Sequence, residues 1–226
     1  MGIKYYSSVT QGSDEWLALR RGLISSSEIS LLLTPTLKVA ANDKSRAHIY
    51  ELLAQRISGY TEPHYISNDM LRGQEDEILA RALYAAKTPV QECGFITNDE
   101  WGFTLGYSPD GLIGEDGLLE CKSRRQKYQI QTITEHVPVG TIPEEYVLQV
   151  QTGLLVTKRK WIDFVSYSGG LPMVVIRVYP NAEVHEAIIK AAKNAEEQIA
   201  DKMAVYLKHS RNLIPTERRI EQEMAI

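Results

Sequence analysis

Apolar residues at Ile49, Leu52, Leu53 and Ile57 recur three and four positions apart, which predicts a helix from about Ser45 to Ile57 ended by Gly59. The same spacing at Val184, Ile188, Ala191, Ala195, Ile199, Met203 and Tyr206 predicts a long amphipathic helix opened by Asn181. A third helix is predicted over about Asp69 to Lys87, capped by Ser67 or Asn68 and stopped before Pro89. Upstream, GSDEWLALRRG reads as a short helix with Ser13 as N-cap, acids in its first turn and Gly22 at its end. SSSEISLLL begins another, with Ser25 and Glu28 at the spacing of a capping box, and TPTLKVAANDKS reads as a loop.

The period changes in the middle of the chain. VQECGFI, GFTLGYS, GLI and GLLECK are short runs bounded by Gly, Asn and Asp, and they predict strands. Helices are predicted near residues 126 to 136 and from about Pro143 to Val156, and WIDFVSYS and MVVIRVYP supply two last strands joined by a GGLP turn. Helices, a sheet, helices, two strands and a helix make an α/β or α+β domain with a central mixed β-sheet flanked by helices. No repeat or linker divides the chain, so residues 1–226 are expected to form one domain. It comprises N-terminal helices over 12–58, a core over about 67–180, a C-terminal helix over about 181–209 and a charged tail.

Composition narrows the class without naming a function. A chain that is 43% hydrophobic and 24% charged is of ordinary globular type, and no stretch approaches the roughly 20 apolar residues of a membrane span. No basic flank precedes an apolar run at the start and only Cys93 and Cys121 are present, so a reducing cytoplasm is the expected location. The net charge of −4 counts against a protein that coats nucleic acid, though not against a nuclease with a local basic surface. There is no P-loop, dinucleotide fingerprint or nucleophile elbow. The histidines His48, His64, His136, His185 and His209 show no zinc spacing, and each is expected to be structural or exposed.

The candidate chemistry is concentrated in GYSPDGLIGEDGLLECKSRR, residues 106 to 125. A three-residue loop, Glu115-Asp116-Gly117, with Gly117 left-handed, would set Leu112 opposite Glu120 and Asp110 opposite Lys122. Side chains alternate along a strand, so that register gathers Asp110, Glu120 and Lys122 on one face; a two-residue turn sends Asp110 to the other. Carboxylates from Asp110 and Glu120 suit Mg²⁺ or Mn²⁺, with Lys122 to orient a water or offset developing charge. An ordinary solvated hairpin explains the same residues, because D-G and E-x-K are common.

Other positions carry paired readings. Glu77 shares a helix face with Gly73, Ala80 and Tyr84, which would aim it at a sheet edge; it is equally a surface acid in the run QEDE. Gln149, beside Tyr146 and Gly153 on a mostly apolar helix, could bind a metal-bound water or a nucleotide, or tie down a backbone group. Arg20, Arg21 and Ser25-Ser26-Ser27 lie at a helix boundary suited to phosphate, or Ser25 and Glu28 merely cap. SRRQK at 123–127 and KRK at 158–160 could track a phosphate backbone or be solvated surface.

Four segments taken together resemble a known family. Ser108-Pro109-Asp110-Gly111 followed by Leu119-Glu120-Cys121-Lys122 is similar to the PD-(D/E)XK nuclease signature. GSDEWLALRRGLISSSEI, LRGQEDEILARALY and YVLQVQTGLLVT resemble, in order, the other motifs of the phage lambda exonuclease (YqaJ-type viral recombinase) family, over about residues 12 to 157. The resemblance implies a restriction-endonuclease-like core and a Mg²⁺-dependent exonuclease, with Mn²⁺ as a substitute and two ions per site. Such an enzyme degrades one strand of linear double-stranded DNA 5′→3′ and leaves 3′ overhangs for a phage single-strand annealing protein. By motif position, Asp110, Glu120 and the Cys121 backbone carbonyl would hold metal, Lys122 would act on the attacking water, and Glu77 and Gln149 would complete the catalytic shell. Arg20, Ser27 and Ser108 would take a terminal 5′-phosphate; the motifs do not assign a duplex-splitting wedge, for which Met70 and Leu71 are candidates. The family also implies a homotrimeric ring, a bacterial host cytoplasm and no membrane. Two cysteines are too few for the iron–sulfur cluster of some relatives. Alternatives are an endonuclease of the same superfamily or a non-catalytic DNA-end-binding module.

Overall fold

The computed structural model describes residues 2–63 and 67–218. His64 and the last residues of the charged tail lie outside them. As expected the chain is mixed α/β with helices flanking mixed sheet, and among the described residues eight strands divide that sheet into two of four strands each. The first has the order β1-β3-β4-β2, from β1 (Ile3–Tyr6), β2 (Ile24–Ser25), β3 (Phe95–Asn98) and β4 (Leu105–Tyr107). The second has the order β5-β6-β7-β8, from β5 (Gly111–Ile113), β6 (Gly117–Ser123), β7 (Trp161–Tyr167) and β8 (Val174–Val178). Each is mixed, with β2 parallel to β4 and β6 parallel to β7. Between β4 and β5 lies Ser108-Pro109-Asp110, where Pro109 has no N–H to carry a ladder onward.

The helices follow the apolar stripes closely. Helix α1 (Asp14–Arg20) is capped by Ser13, whose side chain accepts from the Trp16 N–H. Helix α2 (Asp43–Ser58) starts at an Asn42 cap, a little before the expected Ser45, and ends on left-handed Gly59. Helix α3 (Asn68–Ala85) is capped by Ser67. Helix α4 (Gln126–Gln131) continues as a π-helical turn to His136 and a 3₁₀ turn to Val139. Helices α5 (Glu144–Thr157) and α6 (Ala182–Ser210) complete the set, with Asn181 capping α6. Of the α6 stripe, Val184, Ile188, Ala191, Ala195 and Ile199 are buried and Met203 packs at the core's edge, while Tyr206 is exposed. No helix among the described residues is long and apolar enough to cross a membrane.

The SSSEISLLL helix is not formed. Ile24 and Ser25 are extended, pairing with Leu105 and Gly106 of β4, and the Ser26 N–H donates to the Gly106 carbonyl. Only a 3₁₀ turn, Ile29–Leu31, follows. Ser25 Oγ bonds Glu28 Oε2 directly at 2.5 Å instead of capping, because the sheet has already claimed its backbone.

Helix α5 is the hub, packing on β3, β4, β7 and α6. Its Val150 and Leu154 join Ile96, Leu105, Leu118, Phe164 and Ile188 in the main core. On the opposite face of the second sheet, Ala80 and Tyr84 of α3 pack on Leu119, Cys121 and Val165. A polar anchor secures this layer: Tyr84 OH donates to Asp163 Oδ2 at 2.6 Å, and Arg177 grips the same carboxylate through two nitrogens at 2.8 and 2.9 Å. The Arg177 guanidinium in turn lies 3.6 Å from the Trp161 ring centroid.

Burial, helped by the bond to Asp163 and that group's charge, pushes the Tyr84 phenol up to about 12 from its ordinary 10. The neutral phenol therefore stabilises the fold fully below about pH 10, and that contribution, on the order of 2 kcal/mol, is lost as pH rises from about 10 to 12. Denaturant titrations at pH 9 and pH 11.5 should show wild type losing more stability than Tyr84→Phe across this interval. Equal losses would place the alkaline sensitivity elsewhere.

Candidate active site

The β5–β6 hairpin brings the acids together, though not by the expected turn. Its loop is Gly114-Glu115-Asp116, with Ile113 opposite Gly117, Leu112 opposite Leu118 and Gly111 opposite Leu119. The register is displaced by two residues, which preserves parity, so Asp110 still falls beside Glu120 and on its face. Gly114, at φ +51°, is the left-handed residue. Gly117 is needed for a different reason: an added Cβ would lie 2.3 Å from Trp161 ring atoms. Arg159 Nη1 clamps the turn by donating to the Gly114 and Gly117 carbonyls at 2.8 and 2.7 Å, and Lys160 Nζ pairs with Asp116 at 2.9 Å. Lys158 pairs with Glu100. The KRK run thus holds the hairpin and its neighbour; these contacts occupy it within the chain.

Glu120, 1% exposed, is the centre of the cluster. Gln149 Nε2 of α5 donates to its Oε1 at 2.6 Å, and Lys122 Nζ reaches the same oxygen at 2.7 Å. Lys122 Nζ also lies 3.7 Å from Glu77 Oε1 on α3. The Cys121 N–H donates to Asp110 Oδ2 at 2.5 Å. The five residues expected at a catalytic site, Glu77, Asp110, Glu120, Lys122 and Gln149, are therefore assembled from two helices and a hairpin. Of the Glu77 strip, Ala80 and Tyr84 are buried, whereas Gly73 meets nothing within 4 Å of an added Cβ. Asp76, its neighbour, accepts from Ser123 Oγ at 2.5 Å and ties α3 to the end of β6.

Three carboxyl groups share one ammonium here. Burial and the neighbouring Glu120 charge raise Asp110 far above the usual carboxylate range, against the pull of Lys122. Burial also raises Glu77, with Lys122 opposing and Glu120 adding to the shift. For Lys122 burial acts downward, but Glu120, Asp110 and Glu77 outweigh it and hold the ammonium charged. Held charged by these carboxylates, the Lys122 ammonium can orient a nucleophile and balance charge.

The donor set fits a hard cation. Among the described residues no group of three or more His, Cys, Asp or Glu side chains could hold a metal unaided. Mg²⁺ is commonly held by one or two carboxylates, with waters and substrate phosphate completing its shell. Asp110 and Glu120 supply such a pair, short of positive charge. Burial drives the Cys121 thiol upward, away from thiolate, so its backbone carbonyl is the only donor it could offer such an ion.

A second cluster abuts the first. Arg20 Nη2 donates to Ser25 Oγ and Ser27 Oγ at 3.1 and 3.3 Å, and Nη1 to Ser108 Oγ at 3.4 Å. Arg20, Ser27 and Ser108 thus come together as expected, with Ser25 as a further member. Trp16 Nε1 donates to Ser108 Oγ at 3.0 Å, and its ring lies 4.5 Å from the Arg20 guanidinium. Burial draws Arg20 below its ordinary value, with Glu28 opposing. Gln11 Nε2 donates to the Pro109 carbonyl at 2.7 Å, fixing the peptide between Ser108 and Asp110. Trp16, Gln11 and Tyr107 are site residues that none of the sequence motifs above singles out as candidates; Tyr107 OH donates to Glu120 Oε2 at 2.8 Å. The four-residue spacing of Trp16 and Arg20 on one helix was the available signal for the first; Gln11 and Tyr107 had none.

Arg124, from the SRRQK run, pairs with Glu145 at 2.7 Å and Tyr146 OH at 2.8 Å. His48 Nδ1 lies 3.5 Å from Glu51 and His136 Nδ1 3.1 Å from Thr141, each a local contact. Met70 and Leu71 are about half exposed at the start of α3.

Comparisons with known proteins place this geometry. The model of the YqaJ-like viral recombinase domain matches residues 15–160. The crystal structure of an alkaline exonuclease, LHK-Exo, from Laribacter hongkongensis is similar at 28% identity and TM-score 0.77, covering 89% of this chain and 100% of that one. The structure of LHK-Exo in complex with dAMP is similar at 32% identity and TM-score 0.72, covering 87% and 99%. A phage related exonuclease from Haemophilus somnus shares the fold, at 13% identity and TM-score 0.52 over 82% and 98%. Comparison with curated proteins gives no match. The matched domain spans both clusters, and the chain belongs to the YqaJ-like viral recombinase family as an enzyme of the phage exonuclease type.

Proposed function

We propose that the chain is a Mg²⁺-dependent 5′→3′ exonuclease that degrades one strand of linear double-stranded DNA and leaves 3′ overhangs for recombination by strand annealing. The observation that carries this reading is the three-residue link Ser108-Pro109-Asp110. Ser108 belongs to the Arg20 cluster and Asp110 to the Glu120 cluster, so a group held by one is set at a fixed distance from the other. An arginine among three hydroxyls is a receptor for a phosphate monoester, which a linear DNA end supplies and an internal phosphodiester does not.

Asp110, Glu120 and the Cys121 carbonyl would hold the Mg²⁺, or Mn²⁺ in its place, with Glu77 completing the shell of the site; the metal would supply an activated water and polarise a phosphoryl oxygen. The chain's own groups do the remaining work. Lys122, whose ammonium lies 2.7 Å from Glu120 Oε1, orients the incoming nucleophile and offsets charge that develops on phosphate oxygens. Gln149 holds Glu120 in place through its amide. Arg20, Ser27 and Ser108 seat the terminal phosphate and thereby choose the bond to be cut. The dAMP complex of the relative at 32% identity supports a mononucleotide-sized product. A trimeric ring on the duplex, a phage annealing protein as partner and a bacterial cytoplasmic setting belong to the same reading and rest on family membership.

Digestion of linear duplex labelled at each end, with Mg²⁺ and with chelator, tests it against closed circular duplex. Release of the 5′ label only from linear DNA, and only with Mg²⁺, is expected. Nicking of the circle would mark an endonuclease, and Mg²⁺-independent retention of uncut ends would mark an end-binding module.

A further inference from the structure

The two carboxylate oxygens of Glu120 are held by groups of very different freedom. Oε1 accepts from Gln149 and Lys122, the latter's side chain being 17% exposed and its ammonium shared with Glu77. Oε2 accepts from Tyr107 OH, and the tyrosine is completely buried. Its ring is pressed on Gly153, where an added Cβ would stand 2.7 to 2.9 Å from three ring atoms. Its backbone is built into β4, paired with Ile96 of β3. An ammonium and an amide at an accessible edge can turn away from Oε1 when a cation arrives. The phenol has no such freedom.

We propose that Tyr107 is a positioning residue that reserves Glu120 Oε2 and leaves Oε1 alone for a cation, so that the site selects Mg²⁺ or Mn²⁺ over Ca²⁺. The inference rests on the reading of Glu120 as a metal ligand. Its chemical basis is the difference between the ions. Ca²⁺ takes six to eight oxygens and often both from one carboxylate, whereas Mg²⁺ demands a compact octahedral shell. Oε2 keeps a second lone pair, but anchored to a buried ring it cannot turn to join Oε1 on one ion without straining the bond to the phenol, which suits Mg²⁺ and penalises Ca²⁺. Gly153 is part of the device, because a side chain there would displace the ring.

The test is calorimetric titration of the DNA-free protein with Mn²⁺ and with Ca²⁺, for wild type, Tyr107→Phe and Glu120→Gln. Wild type should favour Mn²⁺. Tyr107→Phe should lose about tenfold in Mn²⁺ affinity, the scale of an outer-shell partner, and less or nothing in Ca²⁺ affinity, narrowing the preference. A Mn²⁺/Ca²⁺ ratio within twofold of wild type, with Glu120→Gln no longer binding, overturns the role of Tyr107 and leaves the nuclease reading intact. Unchanged Mn²⁺ binding by Glu120→Gln overturns the metal-ligand reading itself. Should Tyr107→Phe not fold, 3-fluorotyrosine at position 107 preserves ring and hydroxyl. Its ¹⁹F resonance should move differently on Mg²⁺ and Ca²⁺ addition, and no movement with either ion overturns the proposal.

Discussion

Glu120→Gln is expected to lower Mg²⁺-supported digestion of linear duplex by about 10³-fold or more, the scale of losing a group that acts at the reacting centre. The buried carboxylate accepts from Tyr107 on one oxygen and from Gln149 and Lys122 on the other. An amide has one acceptor end. With its NH₂ toward Gln149 and Lys122 it opposes two donors; turned the other way it keeps an acceptor for them and sets NH₂ against the Tyr107 hydroxyl. In either orientation Lys122 loses the carboxylate charge of its closest ion pair, and the next, Glu77, is 3.7 Å away. Breaking a buried ion pair from one side costs about 3 kcal/mol, so digestion must be measured well below the variant's melting temperature. Lys122→Met should lose activity by a similar factor but respond oppositely to metal. Without the ammonium, three carboxyls lack their counter-charge, and Mg²⁺ should raise the melting temperature of this variant more than that of wild type. Glu120→Gln should show little Mg²⁺ shift. Wild-type rates in both variants would remove the cluster from the chemistry.

Much of this site was legible because its pieces sit on strongly patterned elements. Ser67, Gly59 and Asn181 mark helix ends by local chemistry, and the apolar face of α5 carries Gln149 inward whatever its neighbours are. The hairpin shows where such reading stops. Parity along β5 and β6 was enough to put Asp110 and Glu120 on one face. The register itself was not readable, because Trp161 of β7 presses on Gly117 and Arg159 clamps its carbonyl. Those are contacts made across more than 40 residues, and they moved the left-handed position to Gly114. The lost helix at SSSEISLLL has the same origin: a local capping signal was outweighed by pairing with β4. KRK and SRRQK looked like phosphate-tracking runs because charge is visible in a sequence and its partner is not. Tyr107 was invisible for the converse reason. A buried aromatic next to a strand end is ordinary core until its hydroxyl is seen on Glu120.

Arg20→Ala is expected to slow digestion of 5′-phosphorylated ends by about 10-fold to 100-fold, the equivalent of the roughly 1.5 to 3 kcal/mol carried by hydrogen bonds to a charged group. Unphosphorylated ends should be cut at nearly the wild-type rate for such ends, since no monoester is there to be recognised. The contrast follows from the pocket's construction. Arg20 spans Ser25, Ser27 and Ser108 with two nitrogens while its guanidinium rests against Trp16. Its removal leaves the Ser25 and Ser27 hydroxyls to each other, 3.1 Å apart, so the loss falls on the ligand more than on the fold. Arg20→Lys keeps the charge without the planar fork and should recover only part of the rate. The distribution between ends decides what Arg20 does. Equal slowing on both kinds of end would mean that it acts through Ser108 on Asp110, two residues away, and only sets the geometry of the acids. Equal rates on both ends in wild type and variant would remove the phosphate pocket altogether. Slowing confined to phosphorylated ends makes the Arg20 cluster the element that turns a nuclease core into an enzyme that starts from an end.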